Sequence, residues 1–325
     1  MRKTISVLGL TVLLLGALDT VVAKTLTWAE ENGKLGSLIQ YFEYGRSVPG
    51  KLARWEDNPE APGNLYDVAW RSEAVEVSQQ AFLNEDASQG PVLRSYGMSF
   101  VNNIIRHAVE IDPEITWDAH AGPGAPPNFT YSLFQDDRNA RRPGDIAVLG
   151  ILSSSVPGMA ALSNRTWAFE QPAPFTYPIF WPEESGLRRV NPLVNSSEEQ
   201  RRLTGDPQQS WETQLRQEDY FFSLQAFGLT WLDQSPFARL VRRSLATSNI
   251  KRAEASVLAG DYPYEEVLRR MVEEFARVAR ADGQSPVVML IQSRNPIDVN
   301  VLEVVRSILE RDDIPYFATI EHFNP

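Results

Sequence analysis

The chain has three histidines, His107, His120 and His322, and no cysteine, so few side chains could serve as a general base near neutral pH. The lack of cysteine excludes a thiol nucleophile, disulfides, a cysteine-bound zinc and lipid attachment to an N-terminal cysteine. Ser99, in Gly97-Met98-Ser99 between a strand candidate and an amphipathic run, is a reasonable nucleophile. A serine at a strand-to-helix turn meets unpaired backbone N–H groups and the positive end of a helix dipole, which favour a developing oxyanion. The competing reading of Ser99 is a helix N-cap. No Gly-x-x-x-x-Gly-Lys-Ser or Gly-x-Gly-x-x-Gly sequence follows a strand, and no metal-ligand spacing is present, so neither a cofactor nor a metal is expected.

The elements that would position these residues follow from hydrophobic periodicity. Strands are predicted over 91–96, 114–117, 145–152, 286–292 and 315–319, and helices over 100–111, 129–137, 156–162, 264–281 and 298–311. Strand, turn and helix in succession imply an α/β sandwich of three layers around a central parallel sheet. Ligands of such sheets bind beyond the carboxyl ends of the strands, which singles out Ser99, His120, Gly122 to Gly124, Ser153 to Ser155, Ser293 to Asn295, and Glu321 with His322. With the second strand ending at Trp117, His120 falls in the following loop, open to a base or substrate-binding role or to plain solvent exposure. His107 lies about two turns into its helix and reads as structural. His322 closes the last strand, where neighbouring Glu321 would point away from it. The pairs Asp136-Asp137 and Asp312-Asp313 read as solvated caps and turns.

The order of segments resembles the SGNH, or GDSL-type, hydrolase family. Gly97-Met98-Ser99-Phe100 looks like the family's nucleophile block, with Met98 in the acidic position, and Gly124 in Gly122-Pro123-Gly124-Ala125-Pro126-Pro127-Asn128 looks like its oxyanion glycine. The third block's asparagine is missing from 150–155, where Ser153 or Ser154 would donate instead, and Asn128 joins the substrate-binding set. His322-Phe323-Asn324 is similar to the residues around the family's histidine, but Thr319 stands where its acid belongs. The resemblance implies an SGNH/flavodoxin-like fold and a serine esterase or acyl hydrolase, with Ser99 as nucleophile, the N–H groups of Ser99 and Gly124 as oxyanion hole, and His322 as first candidate base. A truncated family member, whose Asp-x-x-His lies beyond Pro325, is also expected to look this way. The substrate would be a small-molecule or carbohydrate O-acyl ester. The alternative is a noncatalytic binding or assembly protein for an exported polysaccharide.

Around this domain (91–325), residues 1–23 read as a signal peptide and 24–90 as an extension packed on the core. Met1-Arg2-Lys3 precedes an uncharged run that Asp19 ends, with Val21-Val22-Ala23 as cleavage site, so a secreted or periplasmic location is expected, ahead of an uncleaved anchor. No integral membrane segment would remain after cleavage. The formal net charge of −11 and the lack of a basic cluster speak against nucleic acid as a partner. Oligomeric state is not legible. Residues 164–260 read as an insertion or lid, and its aromatic run Trp167, Phe169, Phe175, Tyr177, Phe180 and Trp181 as either a stacking platform or a hydrophobic mini-core.

Overall fold

The computed structural model describes residues 2–36, 38, 70, 75–76, 90–168, 175–203, 208–224 and 231–322. The sequence also predicts a helix over 74–82, of which Val75 and Glu76 are described and helical; its other residues and most of the extension lie outside the described residues. Within the extension, Trp70 is fully buried in the main core.

The N-terminal helix α1 (Arg2–Glu31) precedes strand β1 (Val92–Gly97), α2 (Ser99–Ile111), β2 (Thr116–Ala121), α3 (Pro127–Asp136) and β3 (Ile146–Leu152). After a long intervening stretch come α8 (Tyr264–Ala281), β6 (Ser285–Ile291), α9 (Val301–Arg311), β7 (Tyr316–Ala318) and the short α10 (Thr319–His322). The five strands form one sheet in the order β2-β1-β3-β6-β7, every pairing parallel. The chain leaves β1 in one direction for β2 and returns past it to β3, so the order reverses between β1 and β3.

Central strands β3 and β6 are almost continuously apolar because both their faces are covered. On one face α3, α8 and α9 contribute Phe129, Phe134, Phe275 and Val305 to the main core, and α8 supplies Val267, Met271, Phe275 and Ala279 at helical spacing. On the other, Met98 and the α2 residues Val101 and Ile105 pack on Val148, Leu152, Met289 and Ile291.

Three expectations are corrected. Strand β2 runs to Ala121 rather than Trp117, so His120 is a strand residue, paired in register with Tyr96. The segment after β3 is a 3-10 helix, Ser153–Ala160, because Pro157 inside it lacks the N–H that an α-helix would use. After β7 the chain turns helical, so Glu321 and His322 are not neighbours on an extended strand.

Between β3 and α8 the chain forms α4 (Asn164–Trp167), an antiparallel hairpin of β4 (Ile179–Glu183) and β5 (Gly186–Val190), α5 (Ser197–Leu203), α6 (Ser210–Glu218), a 3-10 turn (Trp231–Gln234) and α7 (Pro236–Leu258), with no strand joining the main sheet. Its aromatic residues are neither a surface platform nor a separate mini-core. Phe175, Tyr177 and Phe180 are fully buried in the same core as the sheet, with Phe175 4.9 Å from Phe129 and Phe180 5.3 Å from Tyr131 between ring centres. Trp167 and Trp181 are half-buried, and Phe169 lies outside the described residues. Asp219, after α6, fastens the region by accepting from Leu162 N, Thr166 Oγ1 and Phe221 N at 2.8 Å each.

Candidate functional site

At the end of β1 the chain must turn sharply into α2, and two glycines make room for the turn. A Cβ on Gly97 would meet Val101 Cβ at 2.9 Å, and one on Gly150 of β3 would overlap Val101 Cγ2 and stand 3.2 Å from Gly97 Cα. The first turn of α2 therefore sits directly over the β1/β3 reversal point, the position at which doubly wound sheets bind ligands. Met98, buried and extended, occupies the N-cap, which makes Ser99 the first helical residue and removes the N-cap reading of its side chain. The first intrahelical bond runs from Asn102 N to Met98 O at 3.1 Å, which leaves the N–H groups of Ser99, Phe100 and Val101 without an intrahelical acceptor. Ser99 is exposed, and among the described residues no group hydrogen-bonds its hydroxyl.

The β2 turn comes alongside through Gly122 N donating to Gly97 O at 3.2 Å. Gly124, exposed at its tip, has φ of 59°, a left-handed conformation that favours glycine. After β3 the serines divide. Ser153 is buried and accepts from Ser293 N at 2.8 Å, Ser155 donates to Leu152 O, and Ser154 faces outward. After β6, Ser293 is bonded to Asp298, while Thr319, at the start of α10, accepts from Gln292 N at 2.8 Å.

These ends border an open cavity of about 520 Å³ on the α2 side of the sheet. Its apolar wall is Phe100, Ile104, Leu152, Ile291 and Ile320, and its polar edge is Asn103, Ser154, Ser293, Arg294 and Thr319. The size and the mainly apolar wall with a few polar groups suit a small ligand or an acyl group. His322 lies one turn beyond the Thr319–Ile320 edge, with its ring stacked on Phe317 at 5.0 Å between centres. The structure thus brings Ser99, Ser154 and His322 to one side and one edge of the sheet. It forms no hydrogen bond between His322 and Ser99.

The other expected site residues are elsewhere. Asn128 is fully buried in α3 and donates to Pro178 O at 2.7 Å and Met159 O at 3.3 Å, so it braces the core rather than meeting a substrate. Ser153 is committed to the β6 turn. His107, read from the sequence as structural rather than as a site residue, is an exposed surface residue of α2 paired with Glu110 at 2.8 Å.

His120 belongs to a buried polar network on the α3 face that sequence reading missed. Strand alternation puts Arg94 and Tyr96 of β1 beside Asp118 and His120 of β2. Arg94 donates to Asp118 at 2.6 Å and to Asp145 at 2.9 Å, and Asp145 also accepts from Val92 N and Arg142 N. His120 Nε2 lies 2.8 Å from Asp118, and its ring stacks on Tyr96. The Tyr96 hydroxyl donates to Asp137, which is buried rather than solvated as expected, and Arg141 follows at 3.6 Å from Asp137, over the Phe134 ring. Burial alone would raise the Asp118 carboxyl, but the hydrogen bond and charge of His120, and then Arg94, outweigh it and hold Asp118 below its usual range. Burial and the Asp137 charge push Tyr96 well above its ordinary value. The sequence signal was the alternation Arg94-x-Tyr96 and Asp118-x-His120, polar at period two where a buried strand should be apolar.

No family model, no curated protein and no solved structure matches the chain. The site is therefore read from its own geometry. Among the described residues no group of three or more His, Asp or Glu side chains is arranged to hold a metal ion.

Proposed function

We propose that this chain is an exported SGNH-like serine hydrolase acting on an O-acyl ester of a small molecule or a carbohydrate. One observation carries the reading. Ser99 offers an exposed hydroxyl without a partner among the described residues, in the first turn of α2 at the β1/β3 reversal point, and the residue after it, Phe100, lines a mainly apolar cavity of acyl-group size. In this reading Ser99 Oγ attacks the ester carbonyl, the N–H groups of Ser99 and Gly124 hold the oxyanion, the acyl chain occupies the cavity walled by Phe100 and Ile104, and the alcohol leaves with a proton. Water then hydrolyses the acyl-enzyme. His322, at the carboxyl edge on the Ser99 side of the sheet, is assigned as base. Export is supported by the basic start and the apolar N-terminal helix.

A second reading has its own observation: among the described residues no imidazole bonds to Ser99. It makes the chain a noncatalytic binding protein for an exported polysaccharide, with the same cavity as binding site. Labelling of the purified protein by a fluorophosphonate probe separates the two. Labelling that disappears in Ser99→Ala supports the hydrolase, and its strong reduction in His322→Ala assigns the base. A folded protein that does not label, yet binds polysaccharide in calorimetry, overturns the hydrolase and leaves the binding reading.

A further inference from the structure

Helix α1 does not stop where a cleaved signal should. It runs unbroken through 21–23, the expected cleavage site, to Glu31. Its carboxyl half is built into the body of the protein: Asp19, Val22, Ala23, Leu26 and Ala29 form a half-buried stripe at helical spacing, and α1 packs against α7. Asp19 is the joint. Its Oδ1 accepts from the Ser235 hydroxyl at 2.6 Å and from Phe237 N at 2.9 Å, which satisfies an orphan N–H in the first turn of α7 and places a carboxylate at the positive end of that helix. Removal of 1–23 would strip α7 of this partner and cut the stripe in half. From Val7 to Leu18, by contrast, the apolar side chains are exposed, several of them by more than half.

From this we infer that α1 is retained as a membrane anchor, and that the amino-terminal end of α7 rests at the level of the lipid headgroups. Residues 4–18 rise about 22 Å, short of a hydrocarbon core of about 30 Å. The body supplies the remainder. Four large exposed apolar residues beyond α1 are linked to α7: Leu232 lies three residues before Ser235, Val241 and Leu245 lie six and ten residues after it along α7, and Leu224 is tied to α7 through Arg242, which donates to its carbonyl, while Phe100, Ile111, Leu193 and Ile297 are exposed elsewhere. The four linked to α7 are between 44% and 50% exposed, an apolar collar that a bilayer interface would cover. Arg242 and Arg243 give the collar the charge that suits anionic headgroups, against the acidic balance of the whole chain. The basic start of the chain sets the orientation, with the amino terminus on the cytoplasmic side and the body outside. Because α7 also packs on the 3-10 helix after β3, the anchor ties the carboxyl edge of the sheet to the membrane. This inference stands independently of catalysis by Ser99.

The test uses the full chain expressed in a bacterial envelope. Mass spectrometry should find residues before Ala23 in protein that stays with membranes through high salt and carbonate and is released by detergent. A soluble protein that begins at Lys24 overturns the proposal. The absence of cysteine permits a second measurement in vesicles containing anionic lipid and nitroxide-bearing lipid. A fluorophore on Leu232→Cys or Val241→Cys should lose fluorescence, while one on Ile111→Cys, exposed at the far end of α2, should not. Equal quenching at the three positions overturns the collar, and neither measurement depends on fluorophosphonate labelling.

Discussion

Strands β1 and β2 and the carboxyl edge of the sheet hold polar residues under opposite conditions. On the α3 face, Arg94, Tyr96, His120 and Asp137 are buried and Asp118 is half-buried, and their charged and polar groups answer one another. At the carboxyl edge of the sheet, just beyond β1, β3 and β6, Ser99, Ser154 and Arg294 are exposed, and among the described residues no side chain pairs with them. Polar chemistry inside the sheet is consumed by the fold, because burying a charge without a partner costs far more than a pair contributes. Polar chemistry at the edge costs little to leave open, which makes it available to a ligand. A histidine next to an aspartate is therefore weaker evidence for catalysis here than a serine with nothing bonded to it among the described residues.

The largest effect expected from this contrast is that of Arg94→Met. It leaves Asp118 and Asp145 without their guanidinium and should cost about 3–5 kcal/mol, read as a fall in the urea midpoint. A loss below about 0.5 kcal/mol, the scale of surface substitutions, would break the comparison.

Asp219 sharpens it with pH. Burial raises this carboxyl from 3.8 to about 7, against the pull of its hydrogen bonds to Leu162, Thr166 and Phe221. The folded state then holds a proton that the unfolded chain releases, so this contribution is complete below about pH 4 and is lost as pH rises through about 7. Denaturant melts should show stability falling across that window by a few kcal/mol at most, with the slope removed in Asp219→Ala.

Gly150→Ala comes next, because its Cβ collides with Val101 while the backbone of Gly97 and Tyr96 blocks retreat. Overpacking of this kind costs about 1–3 kcal/mol, and since it pushes on the first turn of α2 it should also reduce labelling of Ser99. Normal labelling in a destabilised variant would separate that turn from the site. The smallest effect on stability belongs to Ser99→Ala, within about 0.5 kcal/mol of the parent protein while labelling is abolished. A substantial loss of stability would show that the hydroxyl supports the fold.

Much of the architecture was legible from periodicity. The continuous apolar runs of β3 and β6 and the helical spacing of α8 and α9 announced themselves, because solvent exclusion at a repeating interval leaves a pattern in one chain. The boundaries were less legible. Strand β2 was cut four residues short because Asp118 and His120 look like loop residues, and only their partners Arg94 and Tyr96 across the strand pair make them tolerable inside. Asn128 and Ser153 were misassigned for the same reason: a polar residue beside a turn looks available until the carbonyls or N–H groups that claim it are in place.

By itself, then, the sequence determined the parallel α/β sheet, the serine at its first turn, the scarcity of bases, and an apolar amino terminus. Those properties reside in residue type and local spacing, which short-range physics can read. Tertiary structure alone decided which polar groups are spent on the fold and which stay open, that the aromatic run belongs to the main core, and that Asp19 binds α1 to α7. Each of those depends on a partner distant in sequence, and the worth of a buried polar group is set by what stands opposite it.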